Sequence, residues 1–258
     1  MNDKQKTAFL ALAAALPAVG IWFFPAIEQD CGYHGFADQR AILGVPNFMD
    51  VVSNIGFVLV GVLGMWRLGR RSVAGWFRDP REVWVWRVIF LGVGLTGVGS
   101  GYYHLDPTNS TLVWDRLPMT LVTTPIFAAL VCERISVRGG LGMLGPLVLA
   151  GVGSVVYWAW SEQAGHGDLR PYALAQYLPL LLVPLVIALF GARYTRASGY
   201  LWAVGWYALA KLGEAWDGPI YELGGLVGGH TLKHLLAAVA LYVLLRMLEL
   251  RRALGAVR

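Results

Sequence analysis

The stretch Val83–Cys132, VWVWRVIFLGVGLTGVGSGYYHLDPTNSTLVWDRLPMTLVTTPIFAALVC, decides how the whole chain is read. It holds two apolar runs, Val83–Tyr103 with Arg87 as its one internal charge and the uncharged Leu117–Cys132, joined by a short polar connection. A helix that crosses a bilayer needs about 20 mainly apolar residues. Lipid cannot satisfy backbone polar groups, so only helices and closed barrels span it. Neither run alternates polar and apolar residues as a barrel strand does, and both therefore read as helices.

The same pattern extends in both directions. Thr7–Ile27 and Val51–Trp66 precede the stretch; Gly139–Ser161, Pro171–Ala192, Ala197–Ala210 and Gly229–Leu248 follow it. The last two are interrupted by Lys211, Glu214 and Asp217 and by His230, Lys233 and His234. Eight spans result, in an all-α polytopic membrane bundle forming one domain over 1–258. Composition agrees: 57% of the 258 residues are hydrophobic and 14% charged, with eleven tryptophans and thirty-two glycines, against about a quarter charged in soluble domains. Lys4 and Lys6 give the first span a basic start. The aromatic GIWFFP after it does not look like a cleavage site, so it reads as a retained helix.

Eight spans with an inner amino terminus place sixteen Lys and Arg residues on the inner side, Arg71 and Arg258 among them. Five, namely Arg40, Arg116, Arg170, Lys211 and Lys233, fall on the outer side. The positive-inside rule then puts both termini in the cytoplasm. This split accounts for the net charge of +5 without nucleic acid, for which no basic patch interleaved with aromatics exists. No protein partner is predicted. Cys31 and Cys132 fall on opposite sides and are read as unpaired.

All five histidines lie on the outer side. His104 closes the third span, Asp115 precedes the fourth, and His230 and His234 open the eighth; Asp50, Ser53 and Asn54 open the second, and Glu214 and Asp217 close the seventh. Ionisable groups at similar depth on five spans predict one polar cavity, since such groups in lipid mark functional interiors. Ser100 and His104, like His230 and His234, are four residues apart and share a helix face. Three histidines with an open fourth position form a catalytic zinc site, which lowers the pKa of a bound water to about 7. Asp115 is placed to accept that water's proton, and Ser100 to donate to a developing oxyanion.

Plainer readings stand beside these. A helical HxxxH pair also serves as an interfacial or hydrogen-bonded pair. Asp115–Arg116 also reads as a helix start favoured by the dipole, and Ser100 as a small residue for close packing in GVGSG. Lys211, Glu214 and Asp217 read as an ion-pair ladder, with Lys233 able to join one of the acids or a lipid headgroup. His34 and His166 read as solvated loop residues.

Ser100-x3-His104, Asp115 within WDRLPM (Trp114–Met119), and GHTLKH with His230-x3-His234 resemble the alkaline ceramidase family, part of a wider group of seven-helix membrane hydrolases that includes adiponectin-receptor-like proteins. NFMDVVSN, Asn47–Asn54, looks like the segment opening that family's first core helix. The resemblance runs from about Asp30 to the end, in a form that looks bacterial. It implies a seven-helix core over about 47–250 with Thr7–Ile27 as an added span, in a bacterial inner membrane. It further implies a zinc amidase: His104, His230 and His234 as zinc ligands, Asp115 activating water, and Ser100 binding the oxyanion. The expected reaction splits ceramide into a sphingoid base and a fatty acid. The alternatives are another N-acyl lipid as substrate, or a transporter or receptor using the same cavity. Eukaryotic members bind calcium through an acidic amino-terminal loop. Here Asp30, Asp38, Asn47 and Asp50 would supply the oxygens, although Asn47 stands where a glutamate is expected; otherwise Asp38 and Arg40 make an ordinary surface pair.

Overall fold

The computed structural model describes residues 1–70 and 75–255. Arg71 and Arg258, counted above on the inner side, lie outside the described residues. The helices are α1 (Asp3–Gly20), α2 (Phe48–Ser53), α3 (Ile55–Leu68), α4 (Val83–Leu105), α5 (Asn109–Arg134), α6 (Val137–Gln163), α7 (Arg170–Leu189), α8 (Ser198–Ala215), α9 (Asp217–Gly224) and α10 (Gly229–Leu250). Among the described residues the only β features are two isolated bridges. The protein is all-α.

Among the described residues seven helices, with α2 and α3 counted as one, are long and apolar enough to cross a membrane, the build of an integral multi-pass membrane protein. The expected seventh span forms as helix α8, which is not in that set. Large apolar side chains point outward all round the bundle, among them Leu59, Leu149, Leu181 and Trp202. A water-soluble protein would bury them; lipid gives no reason to.

Of these seven, α5 is the most buried and α1 the least. α5 packs against α4, α6 and α7, α10 against α8 and α3, and α1 lies outside against α7. α5 starts eight residues before the apolar run at Leu117. Thr108 caps it, its side chain accepting from the Thr111 backbone N–H while the Thr111 hydroxyl accepts from the Thr108 N–H, so polar residues form the first turn. Asp115 and Arg116 are consequently buried inside the helix, not at its start.

One contact sets the spacing of α4 and α5. Pro118 has no N–H to give the Trp114 carbonyl four residues back, and Gly99 of α4 packs against that carbonyl. A Cβ on Gly99 would lie 2.0 Å from the Trp114 oxygen. Close packing in GVGSG is thus the task of Gly99, together with Gly97 against the Asn54 carbonyl, which leaves Ser100 to face the interior.

Gly99→Ala should lose about 1–3 kcal/mol of stability through overpacking, measured as thermal unfolding in detergent. Gly101→Ala, with nothing within 4 Å of its added carbon, should be neutral or slightly stabilised by helix propensity. Equal behaviour of the two would refute the close approach.

Candidate metal centre

His104 ends α4; His230 and His234 lie in the first turns of α10. α10 starts close against α8 because its opening residue is glycine: a Cβ on Gly229 would lie 2.0 Å from the Gly213 carbonyl oxygen. All three histidines are buried, and each offers a ring nitrogen within 4.8 Å of the others. The ring centroids form a near-equilateral triangle, 4.9 Å on each side.

The donor chemistry fits a metal. Neither ring nitrogen of His104 has a hydrogen-bond partner, nor does Nε2 of His234. A buried polar atom left unpaired costs about 1–3 kcal/mol, and one cation drawing on three converging lone pairs would satisfy these. Ser53 fixes the tautomer of His234. Its hydroxyl donates to the Asp50 carbonyl at 3.0 Å, so at 2.8 Å from Nδ1 it accepts the imidazole N–H, and the Nε2 lone pair is left free. Such outer partners orient metal-binding histidines. His230 is set by its backbone, whose N–H donates to Asp217 Oδ1 at 2.9 Å. Lys233 donates to His230 Nε2 at 2.7 Å and to Glu214 at 3.1 Å. A metal on that nitrogen would replace the first contact and leave the second.

The segment before α2 folds over the triad. Phe36 lies between His104 and His230, with centroids 4.6 and 4.4 Å away. Asp217 Oδ2 accepts from the Ala37 N–H, Asn47 donates to the His104 carbonyl, and Arg116 donates to Gln29. Tyr33 donates to Glu214; burial, then the negative charge of Glu214, hold its phenol well above the usual tyrosine range, so it remains a neutral donor. His34, expected in solvent, instead bridges the Tyr103 hydroxyl and Asn109 at 2.8 Å each, because the segment turns inward. His166 is exposed, as expected.

Beside the triad lies a cavity of about 340 Å³. His234, Ser100, Asp115, Arg116, Lys233 and Glu214 are in its wall, with Ser100 next to the Asp115 carboxyl. Phe57, Thr96, Met119, Tyr207 and Ala237 also border a second, almost wholly apolar space of about 90 Å³ that reaches Leu244. The polar cavity thus continues into an apolar slot between α5, α7, α8 and α10.

The predicted site residues Ser100, His104, Asp115, His230 and His234 therefore come together. Four others do not. Asp30 caps the Gly32 N–H; Asp38 pairs with Arg40, whose guanidinium holds the carboxyl below the usual aspartate range; Asn47 holds the His104 carbonyl; Asp50 accepts from Thr231 at 2.5 Å. Among the described residues no three acids converge there, and the histidines form the one such group. Asp38 and Arg40 do pair, but Asp38 is buried. The ladder is corrected likewise: Lys211 and Lys233 both pair with Glu214, while Asp217 serves the backbone of Ala37 and His230. Sequence reasoning gave no role to Phe36, and placed Ser53 only at the start of its span. Comparison with protein-family models and with curated proteins finds no match for the chain.

Ser53→Ala removes the partner of His234 Nδ1 without touching a ring nitrogen. Metal affinity, measured by competition with a chelator, should fall about 10- to 100-fold; undiminished affinity would mean that the hydroxyl does not orient the imidazole.

Proposed function

We propose that the protein is a zinc-dependent membrane hydrolase that cleaves the amide bond of an N-acyl lipid, ceramide being the substrate to which the motif resemblance points. The observation that carries this reading is the buried triangle of imidazoles with unpaired nitrogens, beside a cavity whose far side is an apolar slot. His104, His230 and His234 would hold the ion; zinc there supplies a Lewis acid and water activation near neutral pH.

The remaining chemistry falls to this chain's own residues. Asp115 takes the proton of the attacking water and passes it to the leaving amine nitrogen. The Ser100 hydroxyl donates to the carbonyl oxygen as negative charge develops on it. Phe36 and the segment around it keep bulk water from the triad, while the apolar slot takes the acyl chain and sets the amide at the height of Ser100 and Asp115. The basic-residue split supports a site facing the outer side of a bacterial inner membrane, with both termini in the cytoplasm.

Purified protein should contain one zinc, and His104→Ala, His230→Ala or His234→Ala should lose metal and hydrolysis together. Asp115→Asn should keep zinc and lose about 100- to 10,000-fold in rate. Ser100→Ala should keep zinc and lose about 100- to 1,000-fold. Turnover of a fluorescent N-acyl lipid beside zinc per protein checks all five. Wild-type turnover by zinc-loaded Asp115→Asn would remove the aspartate from the mechanism, and full zinc in the histidine variants would remove the metal site.

Topology is tested separately. Reporters fused at Thr108 and after Leu250 should report opposite sides, and the same side at both would sink the orientation.

A further inference from the structure

Arg116 is the cation in the cavity wall that no ion pair holds. It is 6% exposed. Its Nη2 donates to the neutral Gln29 carboxamide at 2.6 Å, and its Nη1 has no partner. Among the described residues it makes no ion pair. The other buried arginines differ: Arg251 pairs with Glu133, and Arg134 is spent on the Phe190 and Ile187 carbonyls at the end of α7. Lys211 and Lys233 in the same cavity share Glu214.

A guanidinium stays charged at any physiological pH, and a buried charge without a counter-charge is costly. Aromatic rings hold this one in place, with Trp158, Tyr172 and Tyr33 centred 4.2, 4.9 and 5.8 Å from its central carbon. Stacking occupies the faces of the guanidinium and leaves edge N–H groups, the part that binds a carboxylate in bidentate fashion.

Resting on the amide-hydrolase reading above, we propose that the lipid cleaved here carries a carboxylate on its amine side, as an N-acyl amino acid does, and that Arg116 selects it. The acyl arm has its own place in the apolar slot. Arg116 lines the polar cavity and not the slot, among Gln29, Tyr33 and Trp158, so the amine-side group is the part of the substrate left to meet it. The reaction balances as a plain hydrolysis: water oxygen bonds to the carbonyl carbon, the C–N bond breaks, and the water proton goes to the leaving nitrogen. A fatty acid and an amino acid are released. A fatty-acid product bears the same carboxylate, so the test must separate the two sources.

The full chain in detergent, with its metal, is given N-oleoylglycine and N-oleoylglycinamide, which differ only in the terminal carboxylate. kcat/KM is measured for each, and binding of each by calorimetry. The wild type should favour the acid about ten- to a hundred-fold, chiefly through KM and with the same preference in binding. Arg116→Gln should bring the ratio close to one, and Arg116→Lys should keep part of it. Equal handling of the two lipids by the wild type overturns the inference, whatever the variants do. So does an Arg116→Gln protein that keeps the ratio, including one in which only inhibition by oleate is relieved, since Arg116 would then serve the product. Cleavage of the neutral amide without acid preference leaves the hydrolase reading standing and this inference refuted. Acid-selective binding that Arg116→Gln abolishes, without cleavage of either lipid, does the reverse.

Discussion

Three imidazoles buried together with three of their ring nitrogens unpaired are the constraint around which this structure is arranged. Each ring nitrogen withdrawn from water needs a partner, and here the rings are each other's neighbours. Close helix crossings at glycine surround them. Gly229 lets α10 start against the backbone of α8, and Gly99 lets α4 lie on the carbonyl that Pro118 leaves without its helix partner. The first crossing lies beside His230 and the second beside Ser100 and Asp115. The three histidines and the two residues proposed to act beside them therefore share one closely packed region.

The segment before α2 covers that region from outside. Phe36 covers two of the rings, and Asp217 ties the segment to α10 by accepting from both Ala37 and His230. In a bilayer the opposite side of the triad faces the cavity between helices. The polar groups thus sit under a protein cover, beside a cavity that continues into the apolar slot.

Much of this was legible in the sequence, and the gaps have physical causes. Apolar runs mark where a chain can lie in lipid, so the helices follow directly; their ends do not, because caps such as Thr108 add polar turns that hydropathy excludes. That is why Asp115 and Arg116 looked like a helix start and are interior. Spacing of four residues finds partners on one helix, as with His230 and His234. It cannot find Ser53 with His234, or Phe36 between two rings, since those contacts join distant segments. Lys233, expected to join one of the acids or a lipid headgroup, does pair with Glu214, but its long flexible side chain also reaches back to His230. Asp38 and Asp50 show the converse error: carboxylates near each other in sequence each found a separate partner, Arg40 and Thr231.

The relation between polar cavity and apolar slot follows from helix periodicity. On α10, His230, His234, Ala237, Leu241 and Leu244 repeat at three- and four-residue steps and form one stripe. Its top two members belong to the triad and its lower three line the slot. On α4 the same stripe runs Thr96, Ser100, His104; on α5 it runs Asp115, Met119, Val122, Ile126. At 1.5 Å rise per residue, His234 to Leu244 covers about 15 Å. A chain lying in the slot would contact these three stripes at once. Its depth would be fixed by the blind apolar end, and the height of its first polar bond by the ring of serine, aspartate and histidine above. In the proposed reaction that coupling turns burial of the chain into orientation of the amide, so acyl length would act on the rate of the chemical step as well as on affinity.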